Sequence, residues 1–137
     1  MKVTSFIPAI LWFIVSVVLL TLPGKDLPHE DLFDIPYFDK YIHFTMFLML
    51  TALFCYPFIN LTTDNFTIKS WFVRITILVI VYGILMEFVQ KFMSVGRSFD
   101  LVDIVFDALG SVAGWAIISW IYVKKIGPNR NRGRNQN

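Results

Sequence analysis

A histidine, a glutamate and an arginine at positions 43, 87 and 97 are the residue types from which proton transfer and anion binding are built. Each stands in or beside a strongly apolar run. An imidazole and a buried carboxyl can both be tuned toward neutral pH, so His43 and Glu87 are the candidates for acid–base chemistry. The Arg97 guanidinium suits a phosphate or carboxylate through paired hydrogen bonds. Asp39, Gln90, Asp100, Asp103 and Asp107 complete the candidate binding set, with Lys40 and Lys91 nearby. Asp39 and His43 are four apart, Glu87 and Gln90 three apart, and Asp100, Asp103 and Asp107 step by three and four. On helices each set lines one face.

Structural roles compete for the same residues. Asp39 and Asp100 stand where helices begin and suit N-caps, and Asp103 in a first turn complements the helix dipole. Lys40 and Lys91 can snorkel to the surface. Gly110 and Gly114 read as a close helix contact, within the chain or with a second copy. His43 alone reads more simply as a hydrogen-bonded packing residue. Glu87 is the hardest to explain this way, because the uncharged run "ITILVIVYGILM" precedes it.

The elements that must carry these groups are membrane spans. More than half of the 137 residues are apolar, 14 of them Phe, more than one soluble core of this size can hide. Four apolar runs, about 6–22, 41–59, 71–93 and 101–123, each approach the ~20 residues a helix needs to cross a bilayer. Short links between them predict an all-α membrane protein, an antiparallel bundle of four transmembrane helices forming one domain over residues 1–123. The first run is expected to be an uncleaved span, since "TLPGKD" offers no small-x-small cleavage site. Residues 124–137 read as a disordered basic tail.

Lys and Arg place the termini. Lys2, Lys69 and the tail cluster from Lys124 to Arg134 contrast with the acid-rich link 23–40, so both termini are expected on the cytoplasmic side of a bacterial inner membrane. Trp71, Trp120 and Tyr122 then fall at the inner interface, and Tyr37 and Tyr41 at the outer one. All the unusual polar residues come to the outward side. His43 sits about 6 Å below Asp39, Glu87 about 9 Å below Met93, and Asp107 about 10 Å below Asp100. Three helices are therefore expected to converge on one half-buried polar pocket.

The segments "DKYIHFTMFLML" (39–50), "GILMEFVQ" (83–90) and "RSFDLVDIVFDALGSVAG" (97–114), in that order, resemble the VanZ-like membrane proteins. Their pattern runs Asp-Lys-x-x-His-Phe, Glu-x-x-Gln, Arg-Ser/Thr-x-Asp and Asp-x-x-x-Asn-x-x-Gly. The resemblance implies roles for Asp39, His43, Glu87, Gln90, Arg97, Asp100, Asp103 and Gly110. Asp107 departs from it, standing where Asn is common and adding a carboxylate. The founding member is associated with low-level resistance to the glycopeptide teicoplanin. The resemblance implies a cell-envelope setting, with no settled reaction.

Four functions compete. The pocket binds or modifies an anionic lipid-linked or wall precursor or a glycopeptide-related ligand at the outer leaflet, or it is a satisfied network in a structural, partner-binding protein. A divalent ion has ligands enough, but Arg97 and Lys91 weigh against it, so neither metal nor cofactor is expected. Transport is disfavoured because the inner half of the bundle offers almost no polar lining. Anionic lipid accounts for the basic tail, and nothing points to nucleic acid. Whether the protein is an enzyme stays open.

Overall fold

The computed structural model describes residues 3–22, 38–60, 64–93 and 99–134, with side chains except those of 93 and 126–134. A 3-10 turn, Val3–Phe6, leads into α1 (Ile7–Thr21). Helix α2 (Phe38–Cys55) ends in a second such turn, Tyr56–Asn60, followed by α3 (Asn65–Met93) and α4 (Leu101–Arg134). Val3–Thr21, Phe38–Asn60, Asn65–Phe92 and Leu101–Lys125 are each long and apolar enough to cross a bilayer. There is no strand among the described residues. The chain is a multi-pass helical bundle, as its apolar runs predict.

Local chemistry sets the helix ends. Pro8, within the first two positions of α1, supplies a helical φ where no amide partner is needed. Leu22 turns extended (φ −60°, ψ 135°) ahead of Pro23, whose ring disfavours a helical predecessor. Pro57 cannot donate back along α2, and the helix tightens there into its 3-10 turn. Helix α3 begins at Asn65, six residues before the expected 71, because Asp64 caps it. One Asp64 oxygen accepts the Thr67 amide at 2.8 Å and the other its hydroxyl at 2.7 Å. Helix α4 runs past the expected end at 123 to Arg134.

The bundle is organised around α2 and α4, which run parallel. A Cβ on Gly110 would collide with the Phe44 carbonyl oxygen, and one on Gly114 would lie 2.5 Å from that of Leu48. The two matches advance together along both helices, so backbone lies directly on backbone over more than a turn. This close contact is what small residues provide where lipid removes the hydrophobic drive between helices. The Gly110/Gly114 face is thus filled by α2 of the same chain, not presented to a second copy. Helix α3 lies antiparallel to both, and a Cβ on Gly83 would meet Asp107 Oδ2 at 2.8 Å and the Phe47 ring at 2.9 Å.

Helix α1 is apolar nearly all round, with Ile7, Ile10, Leu11, Ile14 and Val18 exposed as a lipid-facing surface. Polar handles tie it to the rest. Trp12 Nε1 donates to the Met46 carbonyl at 3.0 Å, the Ser16 and Tyr82 hydroxyls pair at 2.9 Å, and Gln90 Nε2 donates to the Leu20 carbonyl at 3.0 Å.

The end of the bundle away from the polar groups is an apolar cluster of Cys55, Phe58, Ile59, Ile68, Phe72, Ile118 and Tyr122. Trp71 and Trp120 lie exposed there, under Arg74 at 5.3 Å and Lys124 at 3.9 Å, as an interfacial belt requires. Tyr122 does not join that belt. It is buried, with its hydroxyl donating to Asn65 Oδ1 at 2.8 Å, because it lies on the α4 face that α3 covers.

Gly110→Val is expected to lower the thermal midpoint of the detergent-purified protein, an overpacking cost of about 1–3 kcal/mol. Leu109→Val, on the exposed neighbouring face, should leave the midpoint nearly unchanged. Equal melting of the two variants would contradict the α2–α4 seam.

Candidate functional site

The α2–α4 seam continues upward from its glycines into charge. One residue above Phe44 on α2 and three above Gly110 on α4, His43 Nδ1 meets Asp107 Oδ1 at 2.9 Å. A further turn up, Lys40 Nζ lies 2.6 Å from Asp103 Oδ1, 2.6 Å from Asp100 Oδ2 and 2.9 Å from Asp39 Oδ2. The pairs 40/103 and 43/107 keep the parallel direction of the glycine contacts, two to three residues out of their register. Steps of three on α2 and four on α4 keep Lys40 and His43 over Asp103 and Asp107 on the shared face.

Helix α3 supplies the third wall. Glu87 is 1 % exposed, and its Oε2 accepts the Asp100 amide at 3.1 Å. Asp100 in turn caps α4, its Oδ1 accepting the Val102 amide at 2.8 Å. The Lys40 ammonium, helped by the Val102 amide, holds the Asp100 carboxyl below the usual aspartate range. A ring nitrogen of His43 and one carboxylate oxygen each from Glu87 and Asp103 lie within 4.8 Å of one another. Three helices do converge, and their ionisable groups lie at one level of the bundle.

Several expected placements change. Lys40 does not snorkel; it is buried under three carboxylates, because α4 presents Asp100 and Asp103 at its level. Lys91 does stay outside, exposed over the Phe92 and Phe99 rings at 5.5 and 5.7 Å. Asp39 is no cap: it lies inside the first turn of α2, exposed, paired with Lys40. Gln90 leaves the cluster for the end of α1, since positions three apart on a helix point about 60° apart. Asp103 complements the α4 dipole and binds Lys40 as well. Arg97 and Tyr37 lie outside the described residues.

Two participants escaped the sequence reading. The i, i+3 spacing of Lys40 and His43 was the available sign for Lys40, matched by Asp103 and Asp107 on the partner helix. Gly83 makes room for the Asp107 carboxylate, and a lone glycine in an apolar helix carries little to announce that role.

With an ionised Asp107 the His43 Nδ1–H donates, leaving Nε2 as the nitrogen able to act on something else. Five carboxylates (Asp39, Glu87, Asp100, Asp103 and Asp107) face one lysine and one histidine among the described residues. The described cluster is net acidic.

Fold and cluster together define a four-span membrane protein with a buried carboxylate–imidazole–lysine site at one end of its bundle. The chain belongs to the VanZ/LLP1 family, whose model matches residues 4–122 and so takes in all four spans and every member of the cluster. No curated protein and no solved structure matches the chain significantly.

Removing the Lys40 charge leaves the largely buried Asp103 carboxylate unpaired, and breaking a buried ion pair from one side costs about 3–5 kcal/mol. Lys40→Met should therefore melt well below wild type, and adding Asp103→Asn should recover part of the loss. A double-mutant cycle in thermal melts with no coupling between positions 40 and 103 would contradict the pairing.

Proposed function

We propose that this VanZ-like protein works in the cell envelope, where its buried polar cluster binds the head group of an anionic lipid-linked or wall precursor from the outer leaflet. The observation that carries the reading is the buried His43–Asp107 pair at 2.9 Å, set beside Glu87 on a different helix. Ionisable groups inside membrane-spanning helices are costly to insert, so such groups mark function by default. An imidazole oriented by a carboxylate through one nitrogen is poised to use the other as base or ligand.

In this reading His43 and Glu87 exchange protons with the bound molecule, and Asp107 holds the imidazole in place. Lys40 keeps Asp103 and Asp100 in position rather than meeting the ligand, its three contacts being already made. Arg97, three residues before Asp100 in the sequence, takes the anionic group. The positive-inside distribution of Lys and Arg supports a cluster on the extracytoplasmic side of a bacterial inner membrane. Altered teicoplanin susceptibility is the phenotype expected of an activity on wall precursors.

The second reading is a structural network that fixes helix register for a partner-binding protein. The Lys40 contacts, the Glu87 link to the Asp100 amide and the Gln90 link to Leu20 favour it.

Glu87→Gln separates the two. The binding reading expects a folded, normally expressed variant that binds a purified lipid-linked wall precursor at least tenfold more weakly and loses any glycopeptide phenotype. A variant that fails to accumulate, or a wild-type protein that binds no such precursor in detergent or nanodiscs, supports the structural reading instead.

A further inference from the structure

We infer that His43, Glu87 and Asp103 form a binding site for a divalent transition-metal ion of the Mn²⁺ or Zn²⁺ type. The inference goes beyond the precursor-binding reading: with an ion bound, His43 and Glu87 serve as ligands in place of exchanging protons. One nitrogen and two carboxylate oxygens from three different helices lie within 4.8 Å of one another, on residues that are all buried. Each of the three has a donor left over among the described residues. His43 spends Nδ1 on Asp107, Glu87 spends Oε2 on the Asp100 amide, and Asp103 spends Oδ1 on Lys40. Nε2, Oε1 and Oδ2 remain. A tetrahedral shell with bonds of about 2.1 Å sets its donors about 3.4 Å apart. Rotating the three side chains until those atoms reach that spacing closes the set.

A second observation points the same way. Metal-bound histidines characteristically donate their other ring N–H to a carboxylate, which fixes the ring and raises its basicity. Asp107 makes that contact with His43 at 2.9 Å, and Gly83 leaves the space its carboxylate needs. Asp107 is itself 2 % exposed, so the orienting group is as enclosed as the ligands.

Among the described residues, which do not include Arg97, charge favours a cation over an anion. The described cluster carries five carboxylates, and its one lysine is fully engaged by three of them. Lys91, which as a neighbouring cation would weigh against a metal, is exposed over phenyl rings instead. An imidazole among the donors selects borderline ions over Mg²⁺ or Ca²⁺, which prefer oxygen alone. Three protein donors leave at least one coordination position open, the arrangement of a site that receives a ligand. An ion there would also reconcile an acidic site with an anionic head group, because the metal would meet the phosphate alongside Arg97.

The full chain, purified in detergent, treated with EDTA and desalted, is titrated with MnCl₂ and ZnCl₂ in the absence of any wall precursor. Saturable binding of one ion per chain is expected. Glu87→Gln and Asp103→Asn should each weaken it at least tenfold, and Asp107→Asn about tenfold or more through the ring it orients. Electron paramagnetic resonance of bound Mn²⁺ should show nitrogen coupling that changes on ¹⁵N-histidine labelling and vanishes in His43→Gln. Circular dichroism identifies any variant that has lost its helices. If a variant misfolds, the nitrogen coupling of the wild-type protein decides. Absence of saturable binding below millimolar ion, wild-type affinity in folded Glu87→Gln, or bound Mn²⁺ without nitrogen coupling would each overturn the site. Precursor binding is measured separately, so failure of the ion titration leaves that reading untouched, and the reverse holds equally.

Discussion

Everything at the polar end depends on the contact of α2 backbone with α4 backbone. Gly110 and Gly114 have no side chains, and the carbonyls of Phe44 and Leu48 occupy the space that side chains would need. Helix packing in lipid draws on van der Waals contact and interhelical hydrogen bonds, with no hydrophobic gain from association. Such contact is strongest where two backbones touch. The glycines also bring α2 and α4 close enough for Asp107 to reach His43 and Asp103 to reach Lys40.

That closeness makes a dense set of charges tolerable. A lysine under three carboxylates loses its hydration, but each carboxylate contributes a charge-assisted hydrogen bond, and two of them come from α4 at 2.6 Å. Asp100 also caps α4, and Glu87 from α3 binds the Asp100 amide, so the same residues that pair charges close the helix end. Stability and site geometry are not separable here. Loss of one carboxylate changes what Lys40 can hold and what α4 can begin with.

Helix α1 follows a different logic. Its exposed Ile, Leu and Val face lipid, and three hydrogen bonds from aromatic, hydroxyl and amide side chains join it to α2 and α3. Gln90 is the informative one. It reaches across to the last turn of α1 and accounts for a carbonyl that has no partner within its own helix. Family membership over residues 4–122 includes this first span, although the most distinctive motifs begin only at Asp39.

The four spans were legible in the sequence because a bilayer demands long apolar runs, and that demand acts on composition without reference to neighbours. So was the gathering of polar groups at one end, since a helix rises by a constant amount per residue. Helix ends were less legible: Asp64 and Thr67 look like link residues until the cap they form is seen to extend α3. Which groups meet was decided by tertiary structure alone. Spacing puts Glu87 and Gln90 on nearly one face, yet one meets α4 and the other α1. Lys40 looks like a surface anchor until α4 brings Asp100 and Asp103 over it. A sequence fixes how far along its own helix each side chain lies, whereas its partner depends on the rotation and register of other helices, and here two glycines on α4 set how closely α2 approaches.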